Sequence, residues 1–308
     1  MTPIRPSGFT NHMAHSFLGN ASRFMIEQIH ESGDVFMLCR YLKKQTALPA
    51  FLCLLTVMFL AGCSQESLIF FPEVLPKEYR FAFPTPFQEV RLSADGIELH
   101  ALHFRTPSPR GVVLYFHGNA GSLRTWGEIA PAFTRRGFDL LLPDYRGFGK
   151  SQGRLDGEGA LLADALRMYD HLRKEYPEQA IVLYGRSIGA GPATWVASQR
   201  KPRKLILESP YTSLVNLGAY HYPFLPRLLI RTFLRYPLPT DQWIRSVSCP
   251  VYLFHGTADD IIPFRMGERL NALSTGKHRL IAVPGGGHND LESSSLYQRE
   301  LDQILKEE

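Results

Sequence analysis

From about residue 87 onward, short apolar runs alternate with longer amphipathic stretches, and this alternation limits the folds that the chain can adopt. Most of the runs are continuous in Val, Ile and Leu, as in parallel strands that are buried on both faces. Strands that alternate with helices favour a mostly parallel sheet covered by helices. The predicted strands are 89–92, 97–104, 112–116, 139–142, 180–184, 204–207, 251–254 and 280–283, and the predicted helices are about 123–136, 157–175, 188–199, 265–273 and 295–306.

These elements predict an α/β fold class, with a mostly parallel eight-stranded sheet and helices on both faces. The composition, with 44% apolar and 20% charged residues in 308, is typical of a folded protein rather than a disordered one. Lys and Arg number 34 against 29 Asp and Glu, and they form no basic run. We therefore expect no nucleic-acid partner.

About forty residues between the strands at 204–207 and 251–254 show no strand pattern and are rich in proline and aromatic residues. We interpret residues 210–246 as a small helical cap on the domain that spans 86–308. Arg227, Arg231 and Arg235 recur at fourfold spacing in this cap, which favours one basic helical face. A solvated face is the simpler interpretation of the three arginines.

The first sixty residues have a different pattern, that of an export signal. Lys43 and Lys44 precede an apolar stretch over 47–62, which is too short to cross a membrane as a helix but suits a secretory signal. The stretch ends in Leu-Ala-Gly-Cys at 60–63, which resembles the lipobox of bacterial lipoproteins. The resemblance implies cleavage before Cys63, a lipid on the Cys63 thiol, and a place in the bacterial cell envelope. An uncleaved anchor or a buried helix is the alternative.

The resulting domain prediction is an upstream extension plus signal peptide at 1–62, a tether at 63–85, and the domain at 86–308. Because signals begin close to the start methionine, Met37 is a better candidate start than Met1. Ser64 after the lipidated cysteine favours the outer membrane. The four cysteines, Cys39, Cys53, Cys63 and Cys249, have no metal or disulfide spacing, so we expect neither a disulfide framework nor a metal site.

Gly-Arg-Ser-Ile-Gly at 185–189 follows a predicted strand and opens a predicted helix. This is the G-x-S-x-G pattern in the strand–turn–helix context that gives it meaning, because the glycines permit the sharp turn that exposes the serine. We predict that Ser187 is a nucleophile, held at the carboxyl edge of the sheet beside a helix N-terminus.

A serine nucleophile needs a base and an orienting acid. Three glycines before His288 form a loop after the last strand, and His288 is the predicted base. Asp259 follows the preceding strand and is the predicted acid, in the chain order nucleophile, acid, base. Asp260, which we expect to cap the next helix, and Glu208, which follows the strand after the nucleophile, are the alternatives.

Backbone amides must stabilise the oxyanion, and we predict those of Asn119 and Ile188. Asn119 lies in the His-Gly-Asn-Ala-Gly run that follows the strand 112–116, and Ile188 follows Ser187. We interpret His117 and His255, which end buried strands, as structural residues. The glycine- and lysine-containing run 144–151 lacks the phosphate-loop spacing, so we interpret it as a turn that shapes the pocket.

The motifs together are similar to those of the bud-emergence and serine-aminopeptidase-like group of α/β-hydrolases. The likeness runs from Ser-Leu-Ile-Phe-Phe-Pro at 67–72 through residues 113–121 to Gly-His-Asn-Asp at 287–290. The resemblance implies the eight-stranded α/β-hydrolase fold, no metal or other cofactor, and hydrolysis of esters, thioesters or amides through an acyl-enzyme. Some members of this group remove palmitate from membrane proteins.

We therefore expect a lipid-anchored serine hydrolase that cleaves a carboxylic ester or thioester, with a small-molecule or lipid-like acyl substrate and the membrane as its partners. An aminopeptidase-like amide hydrolase is one alternative, although the cap offers few acids to bind a substrate ammonium group. A catalytically inactive envelope binding protein is another.

Overall fold

The computed structural model describes residues 65–307, in which ten strands and ten α-helices follow one another. The strands are β1 (Phe71–Pro72), β2 (Phe87–Ala94), β3 (Ile97–Phe104), β4 (Val112–Phe116), β5 (Ala120–Gly121), β6 (Asp139–Pro143), β7 (Ile181–Arg186), β8 (Lys204–Glu208), β9 (Val251–Gly256) and β10 (His278–Val283). The helices are α1 (Gln65–Ile69), α2 (Leu123–Trp126), α3 (Ala130–Thr134), α4 (Glu158–Leu172), α5 (Ala190–Gln199), α6 (Leu214–His221), α7 (Arg227–Phe233), α8 (Thr240–Trp243), α9 (Phe264–Leu273) and α10 (Ser295–Lys306).

Eight of the strands form one mixed sheet in the order β2-β3-β6-β4-β7-β8-β9-β10. The pairs β2–β3 and β3–β6 are antiparallel, and every pair from β6 to β10 is parallel. This confirms the predicted fold class. The carboxyl ends of the central strands therefore meet at one edge of the sheet, which is where ligands bind in open α/β sheets.

Both faces of the sheet are covered, as the continuous apolar runs predict. In β4, Val112, Leu114 and Phe116 belong to the core on one face, while Val113 and Tyr115 belong to the core on the other. Successive side chains of a strand point to opposite faces, so a strand that is buried on both sides must be apolar throughout. The alternation of the two cores along β4 shows that helices and loops shield both of them.

The single helix predicted over 123–136 is wrong. The segment is broken into α2, a 3₁₀ turn over Gly127–Ile129, and α3. The ring of Phe83 lies against Gly127 so closely that no side chain fits there, and Pro131 occupies the first turn of α3. Proline has no N–H to donate and favours a helix start, so the chain begins a new helix at this point.

The predicted cap is present as three short helices, α6, α7 and α8, between β8 and β9. Ser213 begins α6, and its hydroxyl accepts a hydrogen bond from the backbone N–H of Asn216 (3.0 Å). No residue of α7 is buried, whereas Tyr211 before α6 and Tyr236 between α7 and α8 are fully buried. The cap is thus fixed on both sides of α7 and exposed along α7 itself.

The described part of the predicted tether packs on the domain. Phe70 is 3% exposed and makes edge contacts with the rings of Phe148 (6.3 Å between centroids) and Tyr236 (5.1 Å). Beyond it, β1 pairs in parallel with β5. The segment packs in this way because burying an aromatic side chain removes apolar area from water, which lowers the free energy of the folded state.

The predicted signal peptide, its lipobox, Cys63 and the candidate start at Met37 lie outside the described residues. Within residues 65–307, every helix is too short or too polar to cross a lipid bilayer.

We expect the substitution Phe70→Ala to lower the free energy of unfolding by about 3–5 kcal/mol, because it leaves a cavity between Phe148 and Tyr236. Phe71 is the matched control: it is the same residue type in the next position, but 53% exposed. Phe71→Ala should change stability by less than about 0.5 kcal/mol. Urea denaturation of both variants measures the difference, and equal stabilities would contradict the packing of this segment.

Candidate active site

Ser187 lies on a sharp turn between β7 and α5, and its backbone is strained. Its φ of +53° falls in the left-handed region that residues with a side chain seldom adopt. Both glycines of the motif are sterically required. A Cβ on Gly185 would lie 2.5 Å from the Gly189 carbonyl oxygen, and a Cβ on Gly189 would clash with the Phe116 carbonyl. The turn therefore holds the Ser187 hydroxyl at the sheet edge, where it is only half-buried.

The structure brings Ser187 and His288 together, although they are 101 residues apart in the chain. His288 lies in the loop after β10, and its Nε2 is 3.0 Å from the Ser187 Oγ. Asp259 lies in the loop after β9, and its Oδ2 is 2.8 Å from the His288 Nδ1. With the Nδ1 proton donated to Asp259, Nε2 is free to accept the serine proton, which is the arrangement of nucleophile, base and orienting acid.

The Asp259 carboxylate is held by several donors. Its Oδ1 accepts backbone hydrogen bonds from Ile261 (3.0 Å) and Ile262 (2.7 Å), and its Oδ2 accepts from His288. Burial alone would raise the pKa of Asp259, but the hydrogen bonds from His255, His288 and the Ile262 amide outweigh it and lower that pKa well below its usual value. The carboxylate is therefore ionised at neutral pH, as an acid that orients an imidazole must be.

His255 is a second histidine that lies beside the Asp259 carboxylate. It is fully buried, and its Nε2 donates to the Ile262 carbonyl (2.8 Å) while lying 3.4 Å from the Asp259 Oδ2. The ring thus supports the loop that carries Asp259. Its place directly after an apolar strand and four residues before the acid was the signal available in the sequence.

The structure places the alternative acids elsewhere. The Glu208 carboxylate accepts hydrogen bonds from Tyr184 and Tyr297 and pairs with Arg186 (3.1 Å), and it forms no hydrogen bond with His288. Asp260 is exposed, and the prediction that it caps the next helix is wrong. Pro263 occupies the N-cap of α9, and no side chain caps this helix. Asp259 instead accepts the hydrogen bonds of the backbone amides of Ile261 and Ile262 in the preceding turn.

Sequence reasoning missed Arg186, the residue before the serine. Its guanidinium pairs with Glu208, donates to Glu292 Oε1 (3.1 Å) and Asn289 Oδ1 (3.2 Å), and lies 5.2 Å from the Trp126 ring. Burial alone would lower the pKa of Arg186, but the Glu208 charge raises it above its usual value. Arg186 therefore ties the serine turn to the loop that carries His288. The x positions of the motif carry no pattern from which this role could be found.

The predicted oxyanion donors border the same turn. Ile188 is the second residue of the 3₁₀ turn Ser187–Gly189 that leads into α5, and amides in the first turn of a helix have no intrahelical acceptor. The close approach of Gly189 to the carbonyls of Phe116 and His117 brings the loop with Asn119 beside Ser187. The Asn119 side-chain amide donates a hydrogen bond to the Ile69 carbonyl (3.0 Å), and the Asn119 backbone carbonyl accepts one from the Phe71 amide (2.8 Å).

His117 is fully buried and supports this loop. Its Nδ1 donates to the Gly118 carbonyl (2.7 Å), its ring stacks on Trp126, and its carbonyl accepts from the Tyr145 hydroxyl (2.7 Å). Asp144 lies 3.6 Å from the His117 Nε2, and burial raises the pKa of Asp144. The run 144–151 therefore packs beneath the loop of Asn119.

Two features of the described residues bear on other chemistry. Residues 65–307 contain no group of three or more His, Cys, Asp or Glu side chains placed to bind a metal ion. Cys249 is a buried free thiol, and burial raises its pKa to about 12. A thiol with so high a pKa is a poor nucleophile, so Ser187 has no competitor in Cys249.

A family model described as serine aminopeptidase, S33, matches residues 107–240. The uncharacterized protein Rv2307c of Mycobacterium tuberculosis is 37% identical over 260 residues, which cover 82% of this chain and 91% of that protein. YfhR of Escherichia coli K12, also uncharacterized, is 32% identical over 184 residues, which cover 58% of this chain and 63% of that protein.

Esterases of known structure share the fold. The Pyrococcus furiosus esterase Pf2001 has a TM-score of 0.59 and 20% identity, with 77% of this chain and 98% of that chain covered. Acetyl xylan esterase 1 of Thermoanaerobacterium has a TM-score of 0.59 and 17% identity, with 75% and 87% covered. At these identities the likeness shows an α/β-hydrolase fold.

We expect Asp259→Asn to lower kcat by about 10⁴-fold, because the amide favours the imidazole tautomer whose Nε2 carries a proton and cannot accept one from Ser187. Asp260→Asn is the matched control, since it makes the same change one residue further on at an exposed side chain. Ester hydrolysis by the two variants measures the effect. Near-normal turnover by Asp259→Asn would show that Asp259 does not orient the base.

Proposed function

The chain belongs to the serine aminopeptidase S33 family of α/β-hydrolases, and we propose that it cleaves a carboxylic ester or thioester through an acyl-enzyme on Ser187. The observation that carries this proposal is the continuous hydrogen-bonded path from Ser187 Oγ to His288 Nε2 (3.0 Å) and from His288 Nδ1 to Asp259 Oδ2 (2.8 Å). A serine hydroxyl is a poor nucleophile unless a base accepts its proton, and this path supplies the base.

In the proposed reaction, Ser187 Oγ attacks the substrate carbonyl carbon while His288 Nε2 takes the hydroxyl proton. The tetrahedral intermediate collapses when the C–O or C–S bond breaks, and the imidazolium gives its proton to the leaving alcohol or thiol. Water then attacks the acyl-enzyme, with His288 as base, and releases the carboxylic acid and the free serine. The ionised Asp259 stabilises the imidazolium in both halves of the cycle.

The negative charge on the carbonyl oxygen needs donors that are in place before the reaction starts. We assign this role to the backbone N–H groups of Asn119 and Ile188. The loop of Asn119 is held by His117 on one side and by the Ile69 and Phe71 backbone on the other. Donors that are fixed in this way need no reorganisation when the charge forms.

The charge and aromatic content of the cap favour an apolar acyl substrate rather than a peptide with a free amino terminus. Residues 210–246 contain four arginines but a single acid, Asp241. Binding a substrate ammonium group favours carboxylates close to the serine, whereas a basic and aromatic cap favours an apolar or anionic substrate. We therefore rank ester and thioester hydrolysis above aminopeptidase-like amide hydrolysis.

We further propose that the enzyme is anchored to the bacterial cell envelope by a lipid on Cys63. The support is the sequence alone: a basic pair at 43–44, an apolar stretch over 47–62, and the Leu-Ala-Gly-Cys ending. Several acyl chains, at about 0.8 kcal/mol for each buried CH₂, hold a protein stably on a membrane. Ser64 supports the outer membrane as the destination, and a lipid-like acyl compound of the envelope as the substrate.

We expect a fluorophosphonate probe to label the protein covalently and the Ser187→Ala variant to remain unlabelled. The probe reacts only with a serine that a base has activated, so labelling tests the nucleophile without knowledge of the natural substrate. Gel fluorescence measures the label, and the circular dichroism spectrum of the variant serves as the control for folding. A wild-type protein that is folded but unlabelled would favour a binding protein over an enzyme.

The same purified protein, assayed on p-nitrophenyl esters from acetate to decanoate, tests the acyl preference. An apolar cap should raise kcat/KM as the chain lengthens, because each added CH₂ removes more apolar area from water. Equal values across the series would contradict an apolar acyl site and would leave the labelling result unaffected.

We expect cells that are fed an alkyne fatty acid to incorporate it into the wild-type protein and not into Cys63→Ser. Cys249→Ser is the matched control and should keep the label, because the Cys249 thiol is buried in the domain. In-gel fluorescence after conjugation measures the incorporation. Equal labelling of Cys63→Ser and wild type would disprove the proposed lipidation site.

A further inference from the structure

The large apolar side chains exposed in residues 65–307 come from three short segments. Nine such side chains are exposed, and they fall within residues 68–74, within residues 220–233, or at Ile261. Isolated exposed apolar residues are normal on any protein surface, but a concentration of them marks a site of interaction. We call these nine side chains the apolar rim.

The first part of the apolar rim borders the loop of Asn119. Leu68, Phe71 and Val74 are 66%, 53% and 73% exposed. The Phe71 amide donates to the Asn119 carbonyl (2.8 Å), and the Ile69 carbonyl accepts from the Asn119 side chain (3.0 Å). These exposed side chains therefore lie beside the loop that we place next to the reacting carbonyl.

The second part lies on the cap. Tyr220, Tyr222, Phe224, Leu228 and Phe233 are all exposed, with Phe224 and Leu228 the most so at 76% and 73%. Phe233 ends α7, and its carbonyl accepts a hydrogen bond from the Gln65 side chain (2.7 Å). The cap and the segment that begins at Gln65 thus adjoin, and each carries exposed apolar side chains on the helix that makes this contact.

The third part borders the acid. The His221 Nε2, at the end of α6, donates to the Ile261 carbonyl (2.8 Å), and the Ile261 amide donates to the Asp259 Oδ1 (3.0 Å). Ile261 itself is 44% exposed. Backbone groups of residues in the apolar rim therefore hydrogen-bond to the loop of Asn119 on one side and to Asp259 on the other, so the apolar rim extends between the two loops that flank Ser187.

Basic side chains lie next to the apolar side chains of the cap. Arg227 and Arg231 are exposed on α7, on the same helix as Leu228 and Phe233. Neither guanidinium forms an ion pair within 4 Å of a carboxylate among residues 65–307, although both line a cleft with Asp241, whose carboxylate interacts with the Arg227 charge. An apolar surface whose arginines outnumber its acids is complementary to the boundary of an anionic bilayer, where acyl chains and negative headgroups meet.

We propose that the apolar rim docks into the interfacial layer of an anionic membrane and presents Ser187 to acyl groups at that surface. Gln65, which contacts the cap, is only two residues from Cys63, so the proposed lipid would hold the apolar rim at the bilayer. A second copy of the chain on the same surface would block access to Ser187, whereas a bilayer supplies the substrate there. The supply of substrate and the lipid that holds the surface at the bilayer rest on the proposed function, but the exposed apolar and basic side chains do not.

The test uses the full chain reconstituted into phosphatidylglycerol vesicles whose lipids carry bromine in their acyl chains. Phe224→Trp puts a fluorescent indole in the apolar rim, and we expect this added emission to be quenched by the brominated lipid. Gln303→Trp is the matched control. Gln303 is exposed on α10, next to Ile304, whose carbonyl accepts a hydrogen bond from the Lys204 ammonium. Lys204 begins β8, so Gln303 lies near the amino edge of the sheet, opposite to Ser187, and the emission added there should not be quenched.

Equal quenching of the two indoles, or quenching of neither, would overturn the proposal. The second outcome includes the cases in which the chain's own residues 1–64, a protein partner or a second copy covers the apolar rim. Replacing both Arg227 and Arg231 by Gln should abolish the preference for phosphatidylglycerol over phosphatidylcholine vesicles. Failure of the wild type to hydrolyse soluble p-nitrophenyl esters would reject the proposed function alone, because the quenching measures docking without catalysis.

Discussion

The close approach of two backbone segments at the carboxyl edge of the sheet is the constraint on which the rest of the site depends. Gly189 lies against the carbonyls that end β4, so the serine turn and the loop of Asn119 are fixed to each other without an intervening side chain. The parallel register of β8, β9 and β10 then brings the loops of Asp259 and His288 to the same edge. The strained φ of Ser187 is maintained because this packing leaves the turn no relaxed alternative.

Two of the buried carboxylates near this edge, Asp259 and Glu208, have different hydrogen-bond donors, and these donors separate their roles. Asp259 accepts from His288 and from two amides, so its charge acts on the imidazole. Glu208 accepts from two tyrosines and from Arg186, which in turn binds Asn289 and Glu292 in the loop of His288. One carboxylate therefore orients the base directly, and the other stabilises the loop that carries it.

The sheet, the cap and the loops that carry Ser187, Asp259 and His288 were predictable because each depends on a local pattern. Apolar runs mark buried strands, and glycines mark turns that a side chain would block. The broken helix over 123–136 was not predictable, since it depends on the Phe83 ring, which reaches Gly127 from some forty residues away in the sequence. Arg186 was missed for the same reason: its role depends on partners that only the folded chain brings within reach. The lipobox and the domain boundary at 62–63 stay predictions.

The parallel pairing of β1 with β5 has a consequence for how such a protein diversifies. Residues 69–72 help to hold the loop of Asn119, through the backbones of Ile69 and Phe71. A different N-terminal segment, with a different cellular address, can therefore be joined to this hydrolase only upstream of Gln65. Recombination beyond that junction would redirect the protein and disable its chemistry in one event.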